Sequence, residues 1–392
     1  MSSSEMARGR LLFIHEVDYL DKPIFEMHEF PEGLAARGWS VQFIDFVENS
    51  SDRRARASVS RLGQAEIDLE SVPSIGSGIV RRLLAALVAI VWLPIRIVRI
   101  RPSVVVLYAV PTFGWQTVLA CRILRIPTVY RAIDLSSDIR ETAFRRLVAK
   151  AERYVAKQST ISCPNTKELG MHLTKLGATN VAQLFPGFDE QQLVESTSGG
   201  QKTILFMGTL FPFAGLEKFL ADAADKLRAH PEVKVRVLGS GDAEDSICST
   251  IAELSLSNQV MMVGFVPYER LFEEMKDASV AIIPFEVLPL THVALPGKVP
   301  QYLRAGLPVV STPLQGLQEL LPEGFGVRYR TPGTEFVDEV WRLLDDEQAR
   351  RELVRLGTQR LDEVATWETS LDGFERVVEK SRSLMTGRGN AR

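Results

Sequence analysis

Cysteine is scarce in this sequence. Only three of the 392 residues are cysteine, and Cys121, Cys163 and Cys248 are far apart, without the paired spacing of metal ligands. The histidines outside the first strand share no such spacing either. We therefore expect no bound metal, and a reducing, cytoplasmic setting fits this cysteine usage best.

The chain also lacks a strong excess of charge. Its formal net charge is −3 and its isoelectric point is near 6.1. No global positive field is available to hold nucleic acid, so no nucleic-acid partner is expected. With 45% hydrophobic and 24% charged residues, the composition is that of an ordinary globular protein long enough for two domains.

Two common nucleotide-binding motifs are missing. No G-x-G-x-x-G follows a predicted strand, and no G-x-x-x-x-G-K-[ST] loop is present, which disfavours NAD enzymes and phosphate-loop NTPases. The first apolar run, Leu11 to Ile14, is interrupted at once by His15 and Glu16. This run is too short for a signal peptide, so secretion is not expected.

An apolar run long enough to span a bilayer is not expected either. Leu83 to Ile97 is shorter than the about 20 apolar residues of a spanning helix, and it contains Pro94 and Arg96. Two interpretations of a helix near residues 80–101 are open: it lies in the membrane interface, or it is a buried domain helix capped by arginines. The interfacial interpretation predicts lipid contacts from Arg81, Arg82, Trp92, Arg96 and Arg99.

Strands and helices alternate along the first half of the chain. The predicted strands are Arg10 to His15, Ser40 to Phe46, Val104 to Tyr108 and Thr128 to Arg131, and the predicted helices include Phe25 to Arg37, Phe113 to Leu124 and Ile139 to Ala156. The alternation restarts at Lys202, after a small and polar segment typical of a linker. Such alternation predicts βαβ units, and hence one α/β domain over residues 1–195 and another over residues 202–365.

Glycine-rich loops follow two predicted strands of the second half. GTLFPFAG follows the strand that ends at Met207, and GSGD follows the strand that ends at Leu238. Ligands of open α/β sheets bind at the carboxyl ends of strands, where glycine lets the backbone approach a diphosphate, although such turns also serve as plain connections. The sequence therefore predicts a nucleotide site that contains Gly208, Thr209, Gly239 and Gly241. In VGFVPYERL, Phe265 lies at a further predicted strand end, which either contacts the base or is an ordinary strand-to-helix turn.

The segment LPGKVPQYLRAGLPVVSTP carries a further candidate. It places Lys298 at the start of a helix, with Gln301 and Tyr302 one turn later on the same side. A lysine at a helix N-terminus opposes the helix dipole and gains nothing structurally there. It makes sense as a clamp on a donor diphosphate. The alternative is a solvated surface lysine.

Several segments together resemble GT-B glycosyltransferases of the glycogen-synthase-like superfamily. They are ARGWSVQFID, RIPTVYRAID, LFMGTL, VLGSGD and PGKVPQYLRAGLPVVST. YRAID and GKVPQY are more specifically similar to the membrane-associated glucuronosyltransferase of xanthan synthesis. The resemblance implies an α/β fold of the GT-B class, with two facing Rossmann-like domains that have parallel sheets. It also implies that residues 366–392 form a C-terminal helix crossing back to the first domain, followed by a tail.

The resemblance implies a reaction as well. Its members move a sugar, here glucuronate or a hexose, from a nucleotide diphosphate donor, expected to be UDP, to a lipid-linked oligosaccharide or glycan acceptor. The nucleotide-sugar is then a substrate, and no cofactor is implied. A peripheral position on the inner face of the cell membrane and a part in polysaccharide biosynthesis are further expectations.

The resemblance also bears on stereochemistry. Retaining members carry two glutamates before the AGxPVV segment, and Val293 and Gln301 stand at those positions here, which favours inversion. An inverting transferase needs a general base for the acceptor hydroxyl. The resemblance places that base on Asp134, with Asp138 as the second choice. Asp134 also suits the alternative role of a helix N-cap.

Other roles stay open at this point. His15 and Glu16 follow the first predicted strand and are candidates for acceptor contact, or else serve only as satisfied polar groups at a strand end. A GT-B sugar-nucleotide epimerase would release a free epimer instead of a glycoside. An inactive GT-B scaffold for a membrane partner would tolerate substitution of Lys298 and Asp134.

Overall fold

The computed structural model describes residues 8–22, 24–47, 56–108, 112–135, 145–188 and 202–387. The chain divides into two compact units. The first contains Met1–Gly187 and Trp367–Arg392, and the second contains Phe188–Thr366. Each unit is built around its own sheet.

The first unit contains a seven-stranded sheet with the order β3-β4-β2-β1-β5-β6-β7. The strands are β1 (Arg10–Ile14), β2 (Ser40–Asp45), β3 (Ala57–Val59), β4 (Ile67–Ser71), β5 (Val104–Leu107), β6 (Thr128–Ala132) and β7 (Ile161–Pro164). All neighbours pair in parallel except β3, which is antiparallel to β4 at the sheet edge. The central strands β5 and β6 are fully buried, as expected when helices cover both faces of a parallel sheet.

Among the described residues of this unit before residue 188, four helices connect these strands and a fifth follows β7. They are α1 (Glu26–Ala36), α2 (Gly78–Ile100), α3 (Gly114–Leu124), α4 (Arg145–Gln158) and α5 (Lys167–Lys175). Helix α3 packs against both α2 and α4, so the three form a continuous helical layer. Ala85, Ala89, Leu93 and Ile97 of α2 are fully buried. Their spacing of four residues defines one helix stripe, and this stripe fixes α2 on the domain.

The second unit contains a six-stranded parallel sheet with the order β10-β9-β8-β11-β12-β13. Its strands are β8 (Lys202–Met207), β9 (Val233–Leu238), β10 (Val260–Gly264), β11 (Val280–Ile283), β12 (Val309–Ser311) and β13 (Val327–Tyr329). This order places the first strand of the unit beside the fourth. The chain reverses direction across the sheet at that point, which is where doubly wound sheets bind their ligands.

The helices of the second unit follow the same rhythm. They are α6 (Leu216–Ala229), α7 (Glu244–Glu253), α8 (Tyr268–Met275), α9 (Pro289–Val293), α10 (Lys298–Arg304), α11 (Gln315–Leu320), α12 (Thr334–Asp345) and α13 (Glu347–Val364). A short 3₁₀ turn, Pro212–Ala214, precedes α6.

The last helix, α14 (Trp367–Gly387), belongs to the first unit. Its Phe374 ring stacks on Phe30 of α1 with centroids 4.3 Å apart. Glu375 accepts hydrogen bonds from the indole of Trp39 at 2.8 Å and from Arg37 at 3.0 Å. An aromatic core and a small polar cluster therefore hold α14 on the domain.

The structure differs from the sequence-based expectation in one place. Strands β3 and β4 lie between residues 47 and 78, where no strand is predicted, because exposed Ser58 and half-buried Asp68 and Glu70 make this segment polar. Helix α2 (Gly78–Ile100) lies where a helix is predicted near residues 80–101. Helix α4 begins at Arg145, and the start predicted at Ile139 lies outside the described residues.

Candidate active site

The two glycine loops of the second unit pack directly against each other. A Cβ on Gly239 would lie 2.0 Å from the carbonyl oxygen of Gly208, and a Cβ on Gly241 would lie 2.6 Å from the carbonyl oxygen of Leu210. The backbone amide of Leu210 donates to Ser240 at 3.1 Å. Glycine is therefore required for close packing, and the result is one bare backbone surface at the ends of β8 and β9.

A third glycine connects this surface to the end of β11. Gly215 has φ +69°, and a Cβ there would lie 1.9 Å from the carbonyl oxygen of Pro284. Helix α6 begins at the next residue, so its free N–H groups lie at the same edge of the sheet. The amide of Glu286 donates to Phe213 at 2.9 Å and fastens the two loops together. The edge at the β8–β11 crossover is thus built from backbone and a helix N-terminus.

Lys298 is the cation at this edge. It begins α10, and its ammonium nitrogen lies 4.6 Å from the ring centre of Phe206 and 4.9 Å from that of Phe285. A Cβ on Gly208 would lie 2.3 Å from the same nitrogen. Within the described ranges Lys298 has no hydrogen-bond or carboxylate partner. Burial disfavours the charged form of this lysine and lowers its pKa to about 7. A bound anion would stabilise the ammonium form and offset the loss of hydration.

Three other predicted residues lie around the same edge. Thr209 is exposed directly after Gly208. Gln301 is half-buried on α10, and its side-chain amide makes no hydrogen bond to the parts of the chain that are described. Phe265 follows β10 with 76% of its surface exposed, and an aromatic face left open at a strand end offers a stacking surface for a base.

Tyr302 requires a correction. Its ring is fully buried, and its hydroxyl accepts a hydrogen bond from the backbone amide of Met207 at 2.6 Å. Burial raises its pKa well above the usual range. Tyr302 therefore fastens α10 to the last residue of β8 and is not placed to touch a donor. It positions Lys298, which lies one turn earlier on the same helix.

The predicted acceptor residues lie where the first unit crosses over between β1 and β5. His15 stacks on Tyr108 with centroids 4.9 Å apart, and burial, followed by the charges of His28 and Lys22, lowers its pKa to about 3. Glu16 accepts hydrogen bonds from the amide of Thr112 at 2.6 Å and from its hydroxyl at 2.7 Å. Glu16 thereby anchors the start of α3, and His15 remains neutral.

Asp134 lies just past the end of β6 and is accessible to solvent. Desolvation by the surrounding protein raises the pKa of this carboxyl to about 7, and the negative charge of Glu26 contributes to the same shift. No hydrogen bond to it comes from the residues described, and the residues 136–144 that it could cap lie outside the described ranges. Asp138, the second candidate for the base, lies outside the described residues. An open carboxyl with a pKa near neutrality is chemically suited to accept a proton.

A buried ion pair close to Asp134 was missed by sequence reasoning. Arg131 of β6 forms a two-point contact with Glu26 of α1, with N–O distances of 2.8 and 2.7 Å, and both side chains are fully buried. Arg131 also donates to the carbonyl oxygens of Cys163 and Leu184. A charged residue inside an apolar strand is the signal that could have revealed this pair.

The arginines of α2 do not share one orientation. Arg81 is buried and donates to Ser74 at 2.9 Å, and Arg82 lies 3.4 Å from Glu16. Arg96 pairs with Glu70 and lies over the half-buried Trp92 ring. Of the five residues predicted to contact lipid, Arg99 alone is fully exposed. The prediction for Arg81, Arg82 and Arg96 is corrected accordingly, because their guanidinium groups are engaged by the domain.

Comparison with protein families identifies the second unit. Residues 188–360 match the family model of glycosyl transferases group 1. A curated relative, an uncharacterized glycosyltransferase of Methanocaldococcus jannaschii, is 30% identical over 188 residues, which are 47% of this chain and 46% of that protein. The chain thus spans about half the length of the curated relative. The match to the group 1 glycosyl transferase model covers residues 188–360, which are less than half of this chain.

Solved structures establish the fold of the whole chain. Sucrose-phosphate synthase from Thermosynechococcus elongatus has a TM-score of 0.77 at 15% identity, covering 95% of this chain and 99% of its own. The Anabaena protein HepE, solved in complex with UDP and glucose, has a TM-score of 0.73 at 15% identity. The alignment covers 95% of this chain and 100% of the HepE chain. The prediction of a GT-B fold with two Rossmann-like, parallel-sheet domains is confirmed.

Proposed function

We propose that this protein transfers a sugar from a nucleoside diphosphate donor, with UDP as the expected nucleotide. The observation that carries the proposal is Lys298, a buried ammonium group with no anionic partner among the described residues, held against the bare backbone of Gly208. An unpaired buried cation is costly unless a ligand supplies the opposite charge. A diphosphate supplies it, and backbone N–H groups at the glycine loops and at α6 accommodate the remaining oxygens.

The other residues at this edge have complementary roles in the proposal. The Phe265 ring stacks on the base, and Thr209 and Gln301 offer hydrogen bonds to the diphosphate or the sugar. Support also comes from HepE, whose structure was solved with UDP and glucose. As the bond to the sugar breaks, negative charge grows on the leaving diphosphate, and the Lys298 ammonium stabilises it.

Asp134 is the proposed general base. In the mechanism, the acceptor hydroxyl attacks the anomeric carbon, the bond to the diphosphate breaks, and Asp134 takes the hydroxyl proton. A pKa near 7 leaves about half of the carboxyl ionised at neutral pH, close to the optimum for a base. Val293 and Gln301 in place of two glutamates favour inversion of the anomeric centre.

The proposal extends to acceptor and location. The acceptor is a lipid-linked oligosaccharide or another glycan in polysaccharide biosynthesis, and the sugar is glucuronate or a hexose. The protein would work in the cytoplasm, held at the inner face of the membrane. The exposed apolar surface of α2 supports this location.

The test combines UDP binding with transfer. Purified protein is titrated with UDP by calorimetry and assayed with UDP-glucose and UDP-glucuronate on a polyprenyl-diphosphate-linked acceptor. Lys298→Met should weaken UDP binding roughly thirtyfold or more, and Asp134→Asn should keep UDP binding but lose transfer by at least about a hundredfold. Asp277→Asn, an exposed carboxyl change in the second unit, is the control.

Two results would contradict this function. Tight UDP binding by Lys298→Met would remove the diphosphate role of the lysine. Full transfer by Asp134→Asn would mean that another group accepts the proton.

A further inference from the structure

The outward surface of α2 and α3 is apolar. Ten large aliphatic side chains of α2 and three of α3 are exposed, among them Leu87, Val91 and Ile123 at 63%, 64% and 73% of their surface. The two helices pack side by side, so these side chains belong to one surface. We call it the α2–α3 face. A contiguous apolar surface of this kind marks an interaction site.

The pattern of α2 differs from that of a helix covering a soluble domain. Such a helix has one apolar stripe toward the core and polar residues outside. On α2 the inward stripe is Ala85, Ala89, Leu93 and Ile97, and the outward positions are again aliphatic. The side of α2 that faces away from the sheet is therefore as apolar as the side that packs on the domain.

On the described residues of α2, α3 and α4, the exposed charge is of one sign. Helices α2 and α3 contain no Asp or Glu, and the one acidic residue of α4, Glu152, is buried. The exposed charged residues at the ends of α2 and α3 are all basic: Arg99, Arg101, Arg122 and Arg125. Because the whole chain carries a net charge of −3, this positive border is a local segregation. Aliphatic side chains bordered by arginine match the acyl chains and headgroups of an anionic bilayer.

The contacts of α2 with its domain indicate whether this helix crosses the bilayer or lies along its surface. By length and composition α2 is the one helix, among those described, that is long and apolar enough to cross a membrane. However, its inward stripe packs on the domain, and Arg96 is paired with Glu70 of β4. Crossing would break this packing and carry a charged side chain into hydrocarbon.

We infer that the α2–α3 face inserts into the interface of an anionic bilayer, with both helices lying along the membrane surface. This inference rests on the peripheral location proposed above and names the surface responsible for it. It predicts that Arg99 and Arg122 contact lipid headgroups. Arg81, Arg82 and Arg96 instead contact side chains of their own domain.

The first test is flotation with vesicles. Wild-type protein should float with vesicles of equal parts phosphatidylglycerol and phosphatidylcholine, and much less with phosphatidylcholine alone. Leu87→Glu/Ile123→Glu should abolish flotation. Arg99→Glu/Arg122→Glu should weaken binding to the anionic vesicles by at least about twentyfold, from roughly fivefold for each arginine.

Matched controls lie in the second unit. Met261→Glu changes an aliphatic side chain that is 60% exposed, and Lys276→Glu reverses an exposed charge. Both should float like wild type. Leu87→Gln/Ile123→Gln removes the apolar surface without adding charge, and thermal unfolding of each variant verifies its fold.

A second test locates the inserted position. In a Cys248→Ser background, which removes the exposed cysteine, Val91→Cys is labelled with an environment-sensitive fluorophore, and Met261→Cys serves as the control. Anionic vesicles should raise the emission of the label at position 91 and leave that at position 261 unchanged.

Specific results would overturn the inference. Unchanged flotation of folded Leu87→Glu/Ile123→Glu would do so, as would a wild-type dimer that does not float and that Ile123→Glu dissociates, since the face would then bind protein. UDP affinity is measured on the same samples. Vesicle binding without UDP binding would contradict the proposed sugar transfer alone, and UDP binding without vesicle binding would contradict this inference alone.

Discussion

Two cations, the buried Arg131 of the first unit and the half-buried Lys298 of the second, differ in what neutralises them. Arg131 has a carboxylate, Glu26, in a two-point contact, and two backbone carbonyls as further acceptors. Lys298 has only two aromatic faces and the backbone of Gly208. The partner decides the pKa. Burial opposes both charges, but Glu26 raises the pKa of Arg131, whereas that of Lys298 falls to about 7.

The difference teaches how a structural charge is distinguished from a functional one. A cation that is fully paired inside the protein can do no more than hold the fold, and it leaves no capacity for a ligand. A cation left unpaired at a glycine-built edge costs stability and gains it back only when an anion binds. Asp134, although an acid, resembles Lys298 rather than Arg131, because it is accessible to solvent and its pKa is also near 7.

Removing the paired cation should have the largest effect. Arg131→Met leaves Glu26 buried without a partner, and we expect a loss of about 3–5 kcal/mol in the free energy of unfolding. Urea unfolding followed by circular dichroism measures it, with the exposed Arg99→Met as control. Glu26→Gln/Arg131→Met should recover part of the loss. A loss below that of the control would mean that the pair does not stabilise the first unit.

Removing the unpaired cation should leave stability intact. Lys298→Met replaces a buried, unpaired charge with an apolar chain, so the free energy of unfolding should stay the same or rise. UDP affinity should fall roughly thirtyfold or more, as expected when a close charge pair is lost. Lys276→Met is the control for both measurements. Destabilisation comparable to that of Arg131→Met would place Lys298 in the structural class.

The contact between Lys298 and Gly208 offers a finer test. Gly208→Ala places a Cβ 2.3 Å from the ammonium nitrogen at φ +135°, which displaces the lysine. Gly63→Ala also has a positive φ, +69°, but meets no atom within 4 Å. Gly63→Ala should lose about 1 kcal/mol of stability from backbone strain, and Gly208→Ala should lose more, about 1–3 kcal/mol, because its φ lies outside the left-handed helical region. Only Gly208→Ala should lose UDP affinity, and equal affinity in the two would remove the proposed role of the contact.

The pKa of Lys298 predicts a pH dependence of UDP binding. Its pKa is about 7 in the free protein, and a bound diphosphate would raise it, so binding above pH 7 must take up a proton. UDP affinity should therefore fall as the pH rises above 7, by at most about tenfold per pH unit. Calorimetry in buffers of different ionisation enthalpy reports the proton uptake. Lys298→Met should show no such dependence.

The smallest effect concerns Asp134 and stability. Its pKa rises from 3.8 to about 7 in the folded protein, so the folded state binds the proton more tightly than the unfolded state does. Stability from this group is full below about pH 4 and is lost as the pH rises toward 7. Asp134→Asn should remove this decline, which thermal unfolding between pH 4 and 8 would show. An unchanged decline would mean that other groups cause it.

Much of the fold followed from local sequence patterns. Apolar β-branched runs such as Val104 to Leu107 identify buried parallel strands, and Gly38, with φ +89°, ends α1 as predicted. Strands β3 and β4 could not be recognised, because β3 has only three residues, none of them buried, and the polar residues of β4 resemble those of a loop. The glycines at positions 208, 239 and 241 were also identifiable, since the loops after the strands of a doubly wound sheet commonly bind ligands.

Side-chain directions were harder to predict. Tyr302 and Gln301 are adjacent on α10, yet one is buried against Met207 and the other is half-open. The arginines of α2 divide in the same way, with Arg81 turned to Ser74 and Arg99 left exposed. Sequence spacing gives the relative angle of two side chains on a helix, but the neighbour that each one meets depends on the whole domain.

Local chemistry thus settled the alternation of strands and helices, the glycine loops and the absence of dinucleotide and phosphate-loop motifs, because each depends on residues close in the chain. Packing between distant segments settled which buried charge has a partner. Glu26 and Arg131 are far apart in sequence and meet only when α1 covers β6. Lys298 has no charged partner among the described residues, because it lies against the Phe206 ring of β8, the Phe285 ring after β11 and the backbone of Gly208. Charge neutralisation is a property of the folded neighbourhood, and it is what distinguishes the candidate site here.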